Sequence, residues 1–292
     1  MNKRPSFKNI SIRNIDCVAG MKRITSLSVD VVFADPPYNM SHSKLENRKS
    51  HTGGAFFKVH ERWDQLSVSD YSTFTDAWIG QAERIMKLGG SIFVCASQHN
   101  LGVVLTSLEK NNLSVKNIIV WEKPNAMPNL TRRTLTHSVE FVVWSVKGKG
   151  WKFNYEELRQ LNPDRQKDGQ PKMLRDVWRF PVVQGAERLR GMHGRALHPT
   201  QKPEALVSRC IIAASNQGDL VVDPFLGSGT TGVVCAEMGR CFVGFELEEK
   251  YVKAARSRLA SRLKSIPSPS SGGTPSSPNE RGTGPSARRL TR

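Results

Sequence analysis

The chain lacks the cysteine pattern of a disulfide-bonded or zinc-binding domain. Its 292 residues include five scattered cysteines, at positions 17, 95, 210, 235 and 241, and no Cys-x-x-Cys pair. An odd number of unclustered thiols argues against a disulfide framework and against a zinc site, and it fits a reducing cytosol. We therefore expect a cytoplasmic protein without a bound metal.

Long hydrophobic runs are also missing. No stretch approaches the roughly 20 apolar residues that a transmembrane helix needs. The polar start, Met1 to Pro5, leads into no apolar segment of the kind found in signal peptides. No basic helix with a clean apolar face is visible either, which disfavours binding to an anionic membrane surface. We expect a soluble protein with no membrane partner.

Acidic residues are scarce relative to basic ones. The chain has 43 Lys and Arg against 26 Asp and Glu, which gives a net charge of +17. Such an excess bears on partners rather than on the fold, and a polyanion is the expected partner. A generally basic enzyme without such a partner remains the alternative.

Strand-like runs alternate with helical patterns along most of the chain. The alternation predicts an α/β fold with a mostly parallel sheet of seven strands, covered by helices on both faces. No helical pattern separates 117–122 from 138–146, so these two strands should pair antiparallel at an edge of the sheet. The predicted strands lie near 10–15, 29–34, 91–96, 117–122, 138–146, 219–223 and 241–246. The predicted helices cover 70–88, 99–111, 203–215, 229–238 and 248–264.

Two segments do not fit this alternation. Residues 40–65 form a long polar and basic stretch, and a loop of that length in a compact domain is usually functional or mobile. Residues 147–195 interleave lysines and arginines with aromatic rings, which suits nucleic-acid contact; a small lobe with its own aromatic core is the alternative. We predict a main domain at 1–146 and 196–264, an inserted region at 147–195, and a disordered basic Ser/Pro/Gly-rich tail at 265–292.

A rigid acidic turn follows the second predicted strand. The apolar run 29–34 reads as a buried strand, and Asp35-Pro36-Pro37-Tyr38 ends it, because proline cannot donate to a ladder and keeps the preceding residue from helical geometry. In open α/β sheets, ligands bind at the carboxyl ends of the strands. A fixed carboxylate and a free carbonyl make a double acceptor for a substrate NH₂ group, and the tyrosine offers a ring for stacking. We interpret this turn as an amine-recognition site.

A glycine-rich turn follows a later strand. The run Asp223-Pro224-Phe225-Leu226-Gly227-Ser228-Gly229-Thr230-Thr231 reads as a strand end, a turn that lets a ligand approach the backbone, and a helix start that Ser228, Thr230 or Thr231 can cap. It is neither a complete dinucleotide fingerprint nor a phosphate-binding P-loop. Glu246 closes the next strand and is placed to accept hydrogen bonds from ribose hydroxyls. S-adenosylmethionine, an adenosine-like cofactor without phosphate, fits this unit.

Three motifs together resemble one protein family. The Asp-Pro-Pro-Tyr turn, the late glycine turn and His198-Pro199-Thr200-Gln201-Lys202-Pro203 are similar to signatures of the amino-group DNA methyltransferases, in the permuted order called the beta class. The resemblance covers roughly residues 10–260. It implies a Rossmann-like methyltransferase fold with circularly permuted element order, and methyl transfer from S-adenosylmethionine to N6 of adenine. N4-cytosine methylation is the nearest alternative; methylation of an RNA base or a protein amide, and a catalytically dead DNA-binding protein, are further ones.

The resemblance also implies roles for individual residues. Asp35 and the Pro36 carbonyl would accept hydrogen bonds from the target amine, and Tyr38, after Pro37, would stack on the base. The implied cofactor-binding residues are Asp16, Asp35, Thr200, Lys202, Asp223, Phe225, Gly227, Ser228, Gly229, Thr230 and Glu246. For four of the residues named in this paragraph, a purely structural role is the alternative. Asp16 would be a surface residue, Lys202 a solvated charge, Tyr38 a packing residue and Asp223 a residue that shapes the turn.

Double-stranded DNA is the implied partner. We hypothesise that 147–195 is the target-recognition region, helped by 40–65 and by a pair of arginines before 138–146. Arginine can read guanine edges, although phosphate contact is its commoner use. The candidate DNA-binding residues are Arg132, Arg133, Lys152, Arg175, Arg179, Arg188 and Arg190. Two further interactions are possible: one with a second copy of the chain and one with a cognate restriction endonuclease. The sequence does not show whether either occurs.

Overall fold

The computed structural model describes residues 9–39, 66–129, 132–191 and 194–265. In chain order their elements are β1 (Ile10–Asn14), α1 (Cys17–Met21), β2 (Val29–Ala34), α2 (Val68–Ile85), β3 (Met86–Ala96), α3 (Leu101–Lys110), β4 (Leu113–Glu122), β5 (Val139–Lys147), α4 (Tyr155–Gln160), β6 (Val177–Arg179), a short 3-10 helix (Gly185–Glu187), α5 (Glu204–Ala214), β7 (Leu220–Asp223), α6 (Thr230–Glu237), β8 (Cys241–Glu246) and α7 (Glu249–Ser265). The predicted segment 40–65 and the tail from 266 onward lie outside the described residues.

The strands of the described residues form one eight-stranded sheet in the order β1-β8-β7-β2-β3-β5-β4-β6. β5 runs antiparallel to both of its neighbours, β3 and β4, and every other adjacent pair is parallel. The predicted α/β fold with a mostly parallel sheet is confirmed. Two details were wrong: the sheet has eight strands rather than seven, and its antiparallel strand lies inside the sheet rather than at the edge.

The additional strand is β6, which pairs parallel with β4 and forms the edge of the sheet. It has three residues, too few for an alternating pattern to be recognised in the sequence. Trp178 at its centre is buried, and the Trp121 indole N–H of β4 donates to the Phe180 carbonyl at 2.8 Å. Tertiary contacts rather than local preference therefore stabilise this strand.

The boundary between α2 and β3 also differs from the prediction. The predicted helix 70–88 ends at Ile85, and Met86 already has extended backbone with ψ near 140°. Gly89, the first residue after the predicted helix, lies inside β3 with φ near 78°, where a Cβ would lie 2.7 Å from the Gly150 carbonyl oxygen. The pairing of Met86 with Val29 of β2 extends the strand toward the helix.

Helices cover both faces of the sheet because alternate residues of its strands point to opposite sides. Val31 and Phe33 of β2 pack in one core with α5 and α6, while Val32 and Ala34 pack in the other core with α2 and α3. Each large side chain buried in this way contributes about 1.5–3 kcal/mol. This two-sided burial fixes the carboxyl end of β2, where the acidic turn begins.

The segment 147–195 is attached to the sheet at several points. Besides β6, its helix α4 packs against α5, and the Phe153 ring stacks on Trp144 of β5 at a centroid distance of 5.3 Å. Leu158 and Trp178 belong to the core on the α5 side. Its role as a target-recognition region stays a prediction. Among the described residues, no helix is both long and apolar enough to cross a membrane.

Candidate active site

The acidic turn and the glycine turn lie at the carboxyl ends of adjacent strands. β2 pairs parallel with β7, and β7 pairs parallel with β8. The carboxyl ends of these three strands therefore lie at the same edge of the sheet. Asp35 follows β2, Asp223 closes β7, and Glu246 closes β8. The topology therefore brings the predicted substrate and cofactor residues together, as expected for an open α/β sheet.

Lys202 connects the two turns. Its Nζ lies 2.7 Å from Asp35 Oδ1 and 2.8 Å from Oδ2, and its backbone carbonyl accepts a hydrogen bond from Thr230 Oγ1 at 3.2 Å. The Lys202 side chain is 6% exposed and that of Asp35 17%. Burial raises the pKa of Asp35, with Lys202 opposing the shift. Burial alone would lower the pKa of Lys202, but Asp35 and Glu140 outweigh it and raise that pKa, which keeps the ammonium charged.

Glu140 and Lys123 complete a charge cluster, shielded from most of the solvent, that the sequence analysis missed. Glu140 Oε2 accepts a hydrogen bond from the Tyr38 hydroxyl at 3.0 Å and lies 3.8 Å from Lys202 Nζ, while Oε1 lies 3.0 Å from Lys123 Nζ. Burial would raise the pKa of Glu140, but Lys202 and Lys123 hold it below its ordinary value. Two carboxylates thus balance two ammonium groups.

The antiparallel direction of β5 explains the position of Glu140. Because β5 runs opposite to its neighbours, its first residues lie at the edge where the parallel strands end, next to Lys123, which follows β4. In the sequence, Glu140 is recognisable only as an acidic residue near the start of an apolar run, which does not predict a place in the site. Within the described residues, no cluster of three or more His, Cys, Asp or Glu side chains could hold a metal ion.

A second set of hydrogen bonds holds the acidic turn from the α2 side. The Tyr71 hydroxyl donates to the Pro37 carbonyl at 2.7 Å and accepts from Asn100 Nδ2 at 2.9 Å. Pro36 is buried within the turn, whereas Tyr38 is half-buried, and Lys202 Nζ lies 5.0 Å from the centre of its ring. Side chains of the protein therefore hold the turn from both sides.

The glycine turn has the tight backbone that its residues predict. Gly227 and Gly229 have φ near 51° and 80°, a region that side chains rarely adopt. A Cβ on Gly227 would lie 2.9 Å from His198 Nε2, and one on Gly229 would lie 2.8 Å from the Ala255 Cβ. The helix after the turn has Gly229 as its N-cap, without a side-chain capping bond, so the predicted cap by Ser228, Thr230 or Thr231 was wrong.

Glu246 is held by backbone N–H groups at the end of β8. Its Oε2 accepts from Gly227 N at 2.8 Å, and its Oε1 accepts from Glu248 N at 2.8 Å. Burial raises its pKa, although these N–H groups oppose the shift. Asp223, in contrast, accepts from Phe225 N at 2.9 Å within the turn, and burial raises its pKa to about 7.

The other predicted cofactor residues occupy different surroundings. Asp16 is exposed and caps α1 by accepting from Ala19 N at 2.9 Å, next to the end of β8. Thr200 is exposed, whereas Ser228 and Thr230 are buried. Arg258 of α7 donates to the Ser228 carbonyl at 3.2 Å and to Thr230 Oγ1 at 3.0 Å. These bonds give Ser228 and Thr230 a structural role in holding the turn.

The candidate DNA-binding residues divide between the two edges of the sheet. Arg132 and Arg133 are exposed between β4 and β5, and Arg179 is exposed at the carboxyl end of β6, all at the edge that carries the acidic turn. Arg188 is half-buried and Arg190 exposed in the segment before α5. Arg175 is exposed ahead of β6.

Lys152 lies at the opposite edge of the sheet. Its Nζ pairs with Asp219 before β7 and lies 3.5 Å from Asp30 Oδ1 of β2. Because its ammonium group pairs with these two aspartates, Lys152 has a structural role, and we do not retain it as a DNA contact.

Comparisons with known proteins show which family the chain resembles. The family model for N6/N4 DNA methylases, described as DNA methylase, matches residues 29–257. The chain is 38% identical over 237 residues to the Type II methyltransferase M2.DpnII of Streptococcus pneumoniae, covering 80% of this chain and 82% of that protein. It is 36% identical over 257 residues to the Type II methyltransferase M2.LlaDCHI of Lactococcus lactis subsp. cremoris, covering 86% and 90%.

Solved structures show the same fold. The M1.HpyAVI–SAM complex is similar with a TM-score of 0.61 and 27% identity, covering 86% of this chain and 98% of that one. The cytosine-N4-specific PvuII DNA methyltransferase is similar with a TM-score of 0.64 and 18% identity, covering 90% and 95%. At that identity the second likeness bears on the fold alone.

Proposed function

Because the chain belongs to the N6/N4 DNA methylase family and is a DNA methyltransferase that uses S-adenosylmethionine, we propose that it methylates N6 of an adenine flipped out of duplex DNA at a specific sequence. One observation carries the proposal. The Asp35 carboxylate is fixed at the carboxyl end of β2, and its partner Lys202 also bonds to the first residue of the helix that follows the glycine turn.

The residues around the glycine turn fit S-adenosylmethionine. In a phosphate-binding turn the backbone N–H groups face an anion, but here Gly227 N already donates to Glu246. A carboxylate at this point repels phosphate and can accept hydrogen bonds from ribose hydroxyls. The Phe225 ring, packed edge-on against Trp78 at 5.3 Å, adds an apolar surface. When bound, the cofactor supplies an electrophilic methyl group on a sulfonium.

Asp35 is the group that would activate the target amine. The lone pair of an exocyclic base amine is delocalised into the ring, so the nitrogen is a poor nucleophile. Asp35 and the Pro36 carbonyl would accept the two amine hydrogens, favour a pyramidal nitrogen and stabilise the positive charge that grows on it. Since burial raises the pKa of Asp35, the same carboxylate can take the proton afterwards.

Tyr38 and the basic edge would position the base and its DNA. The amine is not accessible within a duplex, so the base must leave the stack. Tyr38 offers its ring to the flipped base, with its hydroxyl fixed on Glu140. Arg132, Arg133 and Arg179 are exposed at the same edge of the sheet, where arginine commonly serves in phosphate contact. A homodimer and a cognate restriction endonuclease remain predictions.

N4-cytosine is the alternative target because the same acceptors serve either amine. The aspartate at the first position of Asp35-Pro36-Pro37-Tyr38 supports adenine through the family resemblance. Incubation of the protein with methyl-labelled cofactor and unmethylated duplex DNA, RNA or protein, followed by mass spectrometry of the digested products, tests the proposal. We expect N6-methyladenine from duplex DNA. N4-methylcytosine as the product, or labelling of RNA or protein alone, would contradict it.

A further inference from the structure

We propose that Glu140 is a positioning residue that takes the Lys202 ammonium from Asp35 when the target amine binds. The inference rests on the proposed function, since it describes how the same acidic turn becomes free to hold its substrate. Neither the motifs nor the family resemblance assigned a role to Glu140.

The starting point is a conflict at Asp35. Both of its carboxylate oxygens lie within 2.8 Å of Lys202 Nζ. The same oxygens would have to accept hydrogen bonds from the amine and stabilise the positive charge that develops on its nitrogen. A bound ammonium neutralises the carboxylate and repels that charge, so it weakens an interaction that matters most in the transition state. Lys202 would therefore oppose the reaction if it stayed in place.

Among the described residues, Glu140 offers the Lys202 ammonium a second carboxylate close by. The Lys202 side chain is 6% exposed, so it does not lie free in water, and Glu140 Oε2 is 3.8 Å from Nζ. A displacement of about 1 Å would bring Nζ to hydrogen-bonding distance of that oxygen. Lys123 holds the other carboxylate oxygen at 3.0 Å, which keeps Oε2 directed at Lys202 and Tyr38.

The charges favour transfer of the ammonium between two acceptors over loss of its proton. Two carboxylates and two ammonium groups balance within the cluster, and a base amine adds no charge on binding. Asp35 and Glu140 together raise the pKa of Lys202, which keeps the side chain protonated between the two carboxylates. After the shift, Asp35 is free to face the amine and Glu140 carries the ion pair.

Single-turnover methyl transfer at saturating cofactor and DNA tests the role of the Glu140 charge. Glu140→Gln keeps the size and an acceptor for the Tyr38 hydroxyl but removes the negative charge. We expect the rate to fall up to about 100-fold, with unchanged affinity for S-adenosylmethionine and DNA, and partial recovery in Glu140→Asp. Glu83→Gln, which breaks the ion pair with Lys147 at the far end of β5, is the matched control and keeps the wild-type rate.

Double substitutions separate the transfer of Lys202 from a role through Tyr38. In a Lys202→Met background no ammonium covers Asp35, so Glu140→Gln should cost nothing further or should raise the rate. In a Tyr38→Phe background, Glu140→Gln should still lower the rate. An equal cost in the wild-type and Lys202→Met backgrounds, a cost that disappears only with Tyr38→Phe, or a Glu140→Gln rate within twofold of wild type would each overturn the proposal.

The same data separate this inference from the proposed function. A wild-type protein that methylates no DNA amine refutes the function, whereas an active wild type with additive Glu140 and Lys202 effects refutes the transfer alone. If Glu140→Gln fails to fold, as judged by circular dichroism and thermal unfolding, Glu140→Asp replaces it. Its shorter reach should give a smaller cost in the wild-type background, and that cost should also disappear in the Lys202→Met background.

Discussion

Thr230 donates a hydrogen bond from Oγ1 to the backbone carbonyl of Lys202, at 3.2 Å. Thr230 begins α6 directly after the glycine turn, while the Lys202 side chain holds Asp35. A single residue therefore connects the cofactor side of the site to the substrate side, and the positions of the two turns depend on each other.

Substitution of Gly229 should destabilise the protein and weaken cofactor binding. Gly229→Ala places a Cβ 2.8 Å from the Ala255 Cβ at a φ near 80°, and the strained backbone alone costs about 1–2 kcal/mol. Thermal unfolding and isothermal titration with S-adenosylmethionine measure the two effects. Gly102→Ala, in α3 with open space around it, is the matched control. Equal behaviour of the two variants would contradict a requirement for glycine in the turn.

Glu246 should contribute to cofactor affinity through its charge. Glu246→Gln keeps an acceptor for Gly227 N but weakens the hydrogen bonds proposed for the ribose hydroxyls, so we expect affinity to fall about tenfold or more. Equilibrium binding of S-adenosylmethionine measures the loss. Glu248→Gln is the control, because Glu248 contacts Glu246 through its backbone N–H. Wild-type affinity in Glu246→Gln would show that the carboxylate does not hold the cofactor.

Asp223 should make the protein less stable as the pH rises. Its folded-state pKa of about 7 lies above the ordinary value of 3.8 because of burial. Between these values the folded state keeps a proton that the unfolded state has released, so the free energy of unfolding decreases with rising pH, by up to about 4 kcal/mol. Asp223→Asn should remove this contribution. In denaturant unfolding from pH 4 to pH 7, the free energy of unfolding of the variant should therefore rise relative to that of the wild type.

The exposed arginines between β4 and β5 should act on DNA affinity and not on cofactor affinity. Arg132→Ala with Arg133→Ala should weaken DNA binding and reduce the slope of log K against log salt by about 0.9 for each phosphate that is no longer neutralised. Fluorescence anisotropy across a salt series measures this. Lys22→Ala, exposed after α1 on the side where β2 begins, is the control and should leave the slope unchanged.

The parts of the site that local sequence could predict are those built from consecutive residues. Two prolines after a buried strand define the Asp35 turn, and two glycines before a helix define the cofactor turn; the structure places each where the pattern indicated. Their mutual position followed from a general property of parallel sheets.

The parts that sequence could not predict depend on contacts between distant elements. Glu140 meets Tyr38, 102 residues away, only because β5 enters the sheet antiparallel between β3 and β4. The strand β6 is too short to show alternation, and its pairing with β4 depends on burial of Trp178. Lys152 looked like a free basic residue until the fold placed two aspartates beside it.

Methyl transfer by an Asp35→Asn variant tests the central claim most directly, because this change keeps the size of the side chain and removes its charge. With labelled S-adenosylmethionine and unmethylated duplex DNA, we expect the rate to fall by at least about 10²–10³-fold, with cofactor affinity within about threefold of wild type. Transfer at a rate near that of wild type would contradict the assignment of Asp35 as the residue that holds the target amine.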